Sequence, residues 1–357
     1  MFVRNAWYVG AWSDEIAAGA MLSRTLLGDP VLFYRLADGS PAALADRCCH
    51  RGLPLSHGRV QDDCVTCGYH GLTFDRTGAC VRVPGQERIP PAARVRSYPV
   101  RERDNMVWVW MGDPASADDT LIVSHPFAQS PEWTFLKDRY LVQANYQLIT
   151  DNLMDLTHVG YVHNRTIGGT PQAHSEAVSR TRATEHGVRV ERWMPDSVPP
   201  PSYIAVHEFR TPRIDRWMEI EFFAPAVVRI HTGAMDTGTG AREGLRDDAL
   251  LFWGFNAQTP ETETTTHYFW SGARSHVAGR SIGEQRLDSL RITFSEDKDI
   301  VEAQQASLNR QPEPLVMIAS DGGMVAARRR VAAMLRAEAE TVAPVEPAPA
   351  SAPAALD

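Results

Sequence analysis

Residues 48–71 read CCHRGLPLSHGRVQDDCVTCGYHG, and this stretch decides how the first third of the chain folds. It holds two half-motifs, Cys48-x-His50 and Cys67-x-x-His70, separated by sixteen residues (51–66). Each half offers one thiolate and one imidazole from a tight turn. Each is followed by a glycine, Gly52 or Gly71, that lets the backbone close around a centre. A tetrahedral zinc ion takes two cysteines and two histidines, and the residues by themselves allow such a site.

Four of the five cysteines, Cys48, Cys49, Cys64 and Cys67, lie in this stretch, and Cys80 follows it. An odd number, in a chain that opens without an export signal, argues against a disulfide framework. Cys64 and Cys67 also make a C-x-x-C, but the histidine-containing pattern accounts for more of the segment. Cys49, Cys64 and Cys80 are therefore read as small packing residues and His57 as a loop residue.

Outward from the motif, the sequence up to about residue 110 is β-rich. PVLFYRL, VRVPG and NMVWVWMG are short β-branched or aromatic runs separated by the turn signals LADGS and DRTGA. GDPASADDT (112–120) reads as a polar linker. Further on, DNLMDLTHVGYVH (151–163) has a helical period and sets His158 and His163 among apolar residues. Imidazole suits iron and other divalent metals. Asp155 precedes His158 by three and would share its helix face. His163 lies about 140° further round an ideal helix. Both histidines reach one metal only where the segment bends, and Gly160 is the expected place. Asp151 reads as a helix-start residue. Strand-like runs return between about 179 and 275 (GVRVERWM, YIAVHEF, AVVRIHTG, ALLFWGFNA, TTTHYFWSGAR), and residues 283–308 and 321–340 are expected to be helical. The expected domains are 1–114 and 121–340, with a Pro- and Ala-rich tail, 341–357, expected to be disordered.

The whole chain has 357 residues, 43% hydrophobic and 22% charged, with a formal net charge of −8. That composition is globular and excludes the broad cationic surface that nucleic acid demands. No apolar run approaches the ~20 residues of a membrane span, and MFVRNAWYVGAWSDE is not a secretory signal, so a cytoplasmic protein is expected. No G-x-G-x-x-G follows a strand, so any nicotinamide or flavin chemistry would belong to a separate protein.

The pattern C-x-H-R-G followed by C-x-x-H-G resembles the Rieske [2Fe–2S] motif, with Cys49 standing where that family usually has proline. VRVPGQ (81–86) resembles its proline-containing cluster loop, which would place Pro84 over the metal site. D-x-x-H-x-x-x-x-H resembles the mononuclear iron motif of the Rieske non-haem iron oxygenases. The resemblance runs from NAWYV to SDGGMVAARR. It is strongest towards the vanillate O-demethylase oxygenase and dicamba demethylase subgroup, through CGYHGL, TPETET, HYFW and FSEDKDIVEAQQ.

The resemblance implies an α+β protein: an N-terminal all-β Rieske domain, then a helix-grip-like catalytic domain with an antiparallel sheet. Cys48, His50, Cys67 and His70 would hold the cluster. His158, His163 and a later acid would hold Fe(II) as a facial triad. Asp297 is the best match for that acid, with Glu296 and Asp299 as rivals in FSEDKDIVEAQQ (294–305). Asp155 would then hydrogen-bond an iron-ligand histidine and a Rieske histidine of a neighbouring subunit, bridging electron transfer in a homotrimer. Asn152 would lie in the outer shell of the iron, and Asn256, Trp253 and His231 near the substrate. The implied reaction uses O2 and electrons from a separate NADH-linked reductase. It would hydroxylate an aromatic substrate, O-demethylating a methoxybenzoate such as vanillate with release of formaldehyde. Hydroxylation of a different aromatic is the alternative. A Rieske electron carrier without oxygenase activity is opposed by the second histidine pair.

Overall fold

The computed structural model describes residues 1–164, 166–247, 249–275, 288–311 and 313–341. Up to residue 110 it is strand and turn: β1 (Trp7–Trp12), β2 (Met21–Leu26), β3 (Asp29–Arg35), β4 (Pro41–Ala45), β5 (Arg59–Gln61), β6 (Cys64–Thr66), β7 (Thr73–Phe74), β8 (Cys80–Arg82), β9 (Ser97–Tyr98), β10 (Val100–Arg103) and β11 (Met106–Trp110). They form three small antiparallel sheets, ordered β1-β11-β10, β2-β3-β4-β9 and β5-β6-β7-β8. Val31, Leu32, Phe33 and Tyr34 of β3 are all buried, because the strand is covered on both faces. Gly10 is required where β1 crosses it: a Cβ there would lie 2.5 Å from the Phe33 ring.

The second part is built on one seven-stranded antiparallel sheet. Its strands are β12 (Trp133–Val142), β13 (Val178–Ala183), β14 (Gly187–Ser197), β15 (Ile214–Phe223), β16 (Val227–Asp236), β17 (Leu250–Thr262) and β18 (Thr265–Ser275), ordered β12-β18-β17-β16-β15-β14-β13. The helices are α1 (Tyr146–Met154), α2 (Val159–Val162), α3 (Pro171–Ser175), α4 (Pro201–Ile204), α5 (Asp288–Arg310) and α6 (Gly322–Thr341). α1 packs on β15, β16 and β17 and against α5 and α6, so one face of the sheet lies under helices.

Strand alternation gives the other face to the first part of the chain. Phe255, Ala257 and Phe269 join Trp7, Trp108 and Trp110 in one buried cluster. Main-chain bonds reinforce the contact: Leu27 N–H donates to Pro260 O (2.8 Å) and Gly28 N–H to Glu261 O (2.9 Å).

Two expectations change. YIAVHEF does not form a strand; Pro200 caps and Pro201 begins the short α4, because proline fixes φ at a value that suits a helix start. The stretch 112–120, expected to be a polar linker, carries two 3-10 turns, Pro114–Ser116 and Asp119–Leu121. In the second part, strands β12, β13 and β15 form where no strand was singled out. The expected helix residues 283–287 and the tail beyond Thr341 lie outside the described residues.

Candidate metal centres and substrate cavity

The two Cys–His loops fold alike. Cys48 N–H donates to Leu53 O (2.8 Å) and Gly52 N–H to Cys48 O (3.0 Å); Cys67 N–H donates to Leu72 O (2.8 Å) and Gly71 N–H to Cys67 O (3.1 Å). Gly52 and Gly71 have φ of +74° and +72°, the left-handed conformation that each turn needs. A Cβ on Gly71 would lie 2.9 Å from Pro84, so the proline loop rests directly on the second turn. Cys48 and Cys67 are buried, while His50 and His70 are exposed with ring centres 4.5 Å apart. Burial pushes the Cys48 thiol up to about 11, and the neighbouring Cys67 adds to the rise. Thiol thus faces thiol inside, and ring faces ring outside. That pairing fits two irons, one held by each pair. A single zinc ion needs all four donors at one point. Among the described residues three or more such donors come within 4.8 Å of one another only at His158, His163 and Asp297.

The segment 151–163 is two helices, not one bent helix. α1 stops at its C-cap, Asp155, and α2 starts after His158, with His163 as its C-cap. The break falls at Asp155–Thr157, so Gly160 is not the hinge. Its lack of a side chain serves close packing instead, since a Cβ would lie 2.6 Å from Pro171 Cα. Nor do Asp155 and His158 share a helix face.

His158 and His163 meet Asp297, which α5 supplies, and the three donor atoms lie within 4.8 Å of one another. His158 Nε2 is 3.4 Å and His163 Nε2 is 3.1 Å from Asp297 Oδ1. Each ring is oriented through its other nitrogen. His158 Nδ1–H donates to the main-chain carbonyl of Asp155 (2.7 Å), and His163 Nδ1–H donates to Glu296 Oε2 (2.8 Å). Those bonds leave both Nε2 lone pairs aimed at the same point, as a metal requires. Glu296 therefore holds a histidine, and Asp299 is exposed on the far side of α5. Asn152 Nδ2 donates to Asp297 Oδ1 (3.1 Å). Burial opposes the Asp297 charge, yet the two histidines beside it hold its carboxyl well below the usual carboxylate range. For His163 burial also works against the charge, but Asp297 and Glu296 outweigh it and raise the imidazole.

The Asp155 carboxylate is not the group that touches His158. It accepts from Thr157 N–H (2.9 Å) and lies 3.7 Å from Arg192 Nη1, with its side chain 20% exposed. Asp151, placed by sequence at a helix start, sits inside α1 and pairs with Arg328 of α6.

His158, His163, Asp297 and Asn152 open on a cavity of about 150 Å³ beneath the helices, walled chiefly by Leu153, Ile167, Met218, Ile230, Phe252 and Phe294. Asn256 is part of the wall, with Tyr268 Oη–H donating to its Oδ1 (2.7 Å) and its Nδ2 donating to Val228 O (3.2 Å). Trp253 borders the cavity, but its indole is stacked between His231 (4.3 Å) and Phe127 (5.1 Å). The structure does not bring His231 to the cavity. Strand parity turns it to the opposite face from Ile230 and Thr232, where its Nδ1–H donates to Glu219 (3.1 Å). Sequence reasoning missed Arg216, Arg274 and Ser202 in the cavity wall. The signal for Arg216 was its inward parity beside Met218 in IDRWMEI.

Known proteins share this arrangement. Residues 6–99 match the Rieske [2Fe–2S] domain, and residues 142–337 match the vanillate O-demethylase oxygenase C-terminal domain. The chain is 42% identical to the toluene-4-sulfonate monooxygenase system iron-sulfur subunit of Comamonas testosteroni, over 96% of this chain and all of that one. It is 36% identical to the vanillate O-demethylase oxygenase subunit of a Pseudomonas species, over 95% of this chain and 97% of that one. Dicamba monooxygenase bound to 3,6-dichlorosalicylic acid superimposes with a TM-score of 0.85 at 31% identity, covering 95% of this chain and 99% of that one. Another structure of that enzyme contains non-haem iron with dicamba.

The chain belongs to the Rieske non-haem iron oxygenases, in the group that includes the vanillate O-demethylase oxygenases. It is the oxygenase subunit of a multicomponent monooxygenase, with a Rieske [2Fe–2S] cluster and a mononuclear iron as its cofactors. Among the described residues no helix is long and apolar enough to cross a membrane.

Proposed function

We propose that this subunit hydroxylates a methyl group carried by an aromatic ring, and that its reaction is O-demethylation of a methoxybenzoate such as vanillate. One observation carries the reading: the His158–His163–Asp297 cluster opens on an apolar, ring-sized cavity in a chain that also bears the two Rieske loops. When bound, the cluster supplies electrons and the mononuclear iron activates dioxygen. Overall, one oxygen atom enters a C–H bond of the methyl group. Two electrons and two protons take the other oxygen to water. A hydroxylated methoxy group is a hemiacetal, which loses formaldehyde and leaves a phenol.

The chain's own residues bind, orient and exclude water. His158 Nε2, His163 Nε2 and Asp297 would hold the iron, and all three residues line the cavity. The Asp155 carbonyl and the Glu296 carboxylate fix the two ring orientations, and Asn152 steadies the Asp297 carboxylate. Leu153, Ile167 and Phe294 keep the ring of the substrate dry. Cys48, Cys67, His50 and His70 would hold the cluster, and the exposed imidazoles would form its outlet.

Electrons arrive from a separate NADH-linked reductase and pass between subunits of a cytoplasmic homotrimer through Asp155. Support for association comes from Leu315, Val316, Met317 and Ile318, four consecutive apolar residues that are 61%, 87%, 58% and 65% exposed.

The test is turnover of methoxybenzoates with an NADH-linked reductase, reading O2 uptake and formaldehyde. Formaldehyde equal to oxygen consumed is expected. A second reading, hydroxylation of a ring methyl in an arenesulfonate, is favoured by the 42% identity to the toluene-4-sulfonate protein. It would give a benzylic alcohol and no formaldehyde.

A further inference from the structure

The cavity wall holds a charge that the metal centre does not use. Through the strand register, Arg192 (β14), Met218, Thr232, Phe252 and Arg274 (β18) form one row across the sheet, and Arg216 lies beside it on the same helix-covered face. Arg192, Arg216 and Arg274 are 4%, 2% and 2% exposed. Arg192 has the Asp155 carboxylate nearby. Arg216 differs. Its Nη1 and Nη2 donate to the main-chain oxygens of Gly168 and Ile167 (both 3.1 Å), and its guanidinium lies 4.9 Å from the Tyr203 ring centre. No carboxylate pairs with it among the described residues, and its buried Nε–H has no hydrogen-bond partner. Ser202, next to Tyr203 and also in the wall, has a buried Oγ with no partner either.

Burying a guanidinium against neutral carbonyls alone is costly, because the charge loses its water and gains no counter-ion. Two unused donors, one of them cationic, in the wall of a substrate cavity are a recognition element for an oxyanion. We propose that Arg216 and Ser202 form the anion-binding end of this cavity, selecting arenes that carry a ring-attached carboxylate or sulfonate. The methyl or methoxy substituent then points towards His158 and Asp297. This inference rests on the proposed oxidation of an aromatic substrate, and it names the group that holds that substrate.

The experiment compares 4-methoxybenzoate, its neutral methyl ester and 4-methylbenzenesulfonate on the wild type, Arg216→Met, Arg216→Lys and Ser202→Ala. It measures calorimetric binding to the assembled oxygenase and, separately, KM and kcat with the reductase. Wild type should bind one or both acids better than the ester. Arg216→Met should weaken that acid on the order of 10- to 100-fold, the scale of one lost charge-assisted hydrogen bond. The change should appear in Kd and KM more than in kcat. The ester should shift less than about 3-fold, which also reports that the cavity is intact. Arg216→Lys should recover part of the loss, and Ser202→Ala should show a smaller loss on the same acid. Which acid responds distinguishes carboxylate from sulfonate. Equal binding of acids and ester by wild type, or a preference unchanged in Arg216→Met, overturns the inference. If binding behaves as expected while no compound is oxidised, the anion site stands and the proposed reaction fails.

Discussion

Gly254 and Gly233 lie on adjacent strands, yet replacing each by alanine should have opposite consequences. Gly254 faces the cavity between Ile230 and Gly272. A Cβ there meets nothing nearer than Asn256 Nδ2 at 3.7 Å, an ordinary van der Waals distance. Removing the freedom of a glycine from the unfolded chain stabilises by about 0.4–1 kcal/mol where the site accepts a side chain. Gly233 has no such room, since its Cβ would lie 2.0 Å from Trp217 Cζ2 and 2.4 Å from Cε2. Trp217 is 1% exposed and stacked on Trp193, so it can yield only by disturbing packed neighbours. Overpacking of this kind costs about 1–3 kcal/mol. At about 2 °C per kcal/mol for a chain of this size, Gly233→Ala should melt roughly 2–6 °C lower and Gly254→Ala at or slightly above the wild type. The added Gly254 methyl takes its volume from the cavity, so kcat/KM should fall for ring-substituted substrates and hold for the smallest. Differential scanning calorimetry and a substrate series of increasing bulk measure both effects. Gly254→Ala melting as low as Gly233→Ala, or keeping the wild-type substrate profile, would refute the placement of the cavity.

Asp297→Ala should lower iron from about three to two atoms per chain while the cluster's visible absorbance persists, as metal analysis and EPR would show. Asp155→Asn keeps an oxygen for Thr157 N–H, so both metals should remain and the cluster should still reduce. Turnover should nevertheless collapse, and a normal steady-state rate would end the bridging role. Burial holds His125 and His267 at about 4. The unfolded chain takes up those protons near pH 6.5, so the stability from keeping the rings neutral is complete above that pH. It is lost between about 6.5 and 4, at up to roughly 3 kcal/mol for each ring. Melting temperatures measured from pH 7.5 to 4.5 should fall steadily, and His125→Asn should flatten part of the slope.

The Rieske loops were legible because their information is local: ligand, glycine and turn lie within five residues in each half. The catalytic half was harder. Its third candidate ligand lies 134 residues beyond His163, and only a family resemblance could reach so far. Adjacent acids on α5 were ambiguous for a geometric reason: Glu296 and Asp297, about 100° apart, both face inward, while Asp299, about 200° from Asp297, does not. His231 and Trp253 were chosen by nearness in sequence, whereas strand parity divides such neighbours between two faces. Gly160 was credited with a hinge because glycine breaks helices. Its reason for being small was a partner helix that no single-sequence pattern reveals.

The tryptophan-lined seam between the three small sheets and β17–β18 makes the electron-carrying half structurally inseparable from the half it serves. Cutting the chain near residue 114 would strip cover from Phe255, Phe269 and Val227 and break the main-chain bonds to Pro260 and Glu261. Neither fragment would inherit a finished surface. A graft of another Rieske module onto this catalytic half would have to reproduce the seam as well as the cluster loops. Cofactor exchange by modular recombination is thus constrained by residues that hold neither metal.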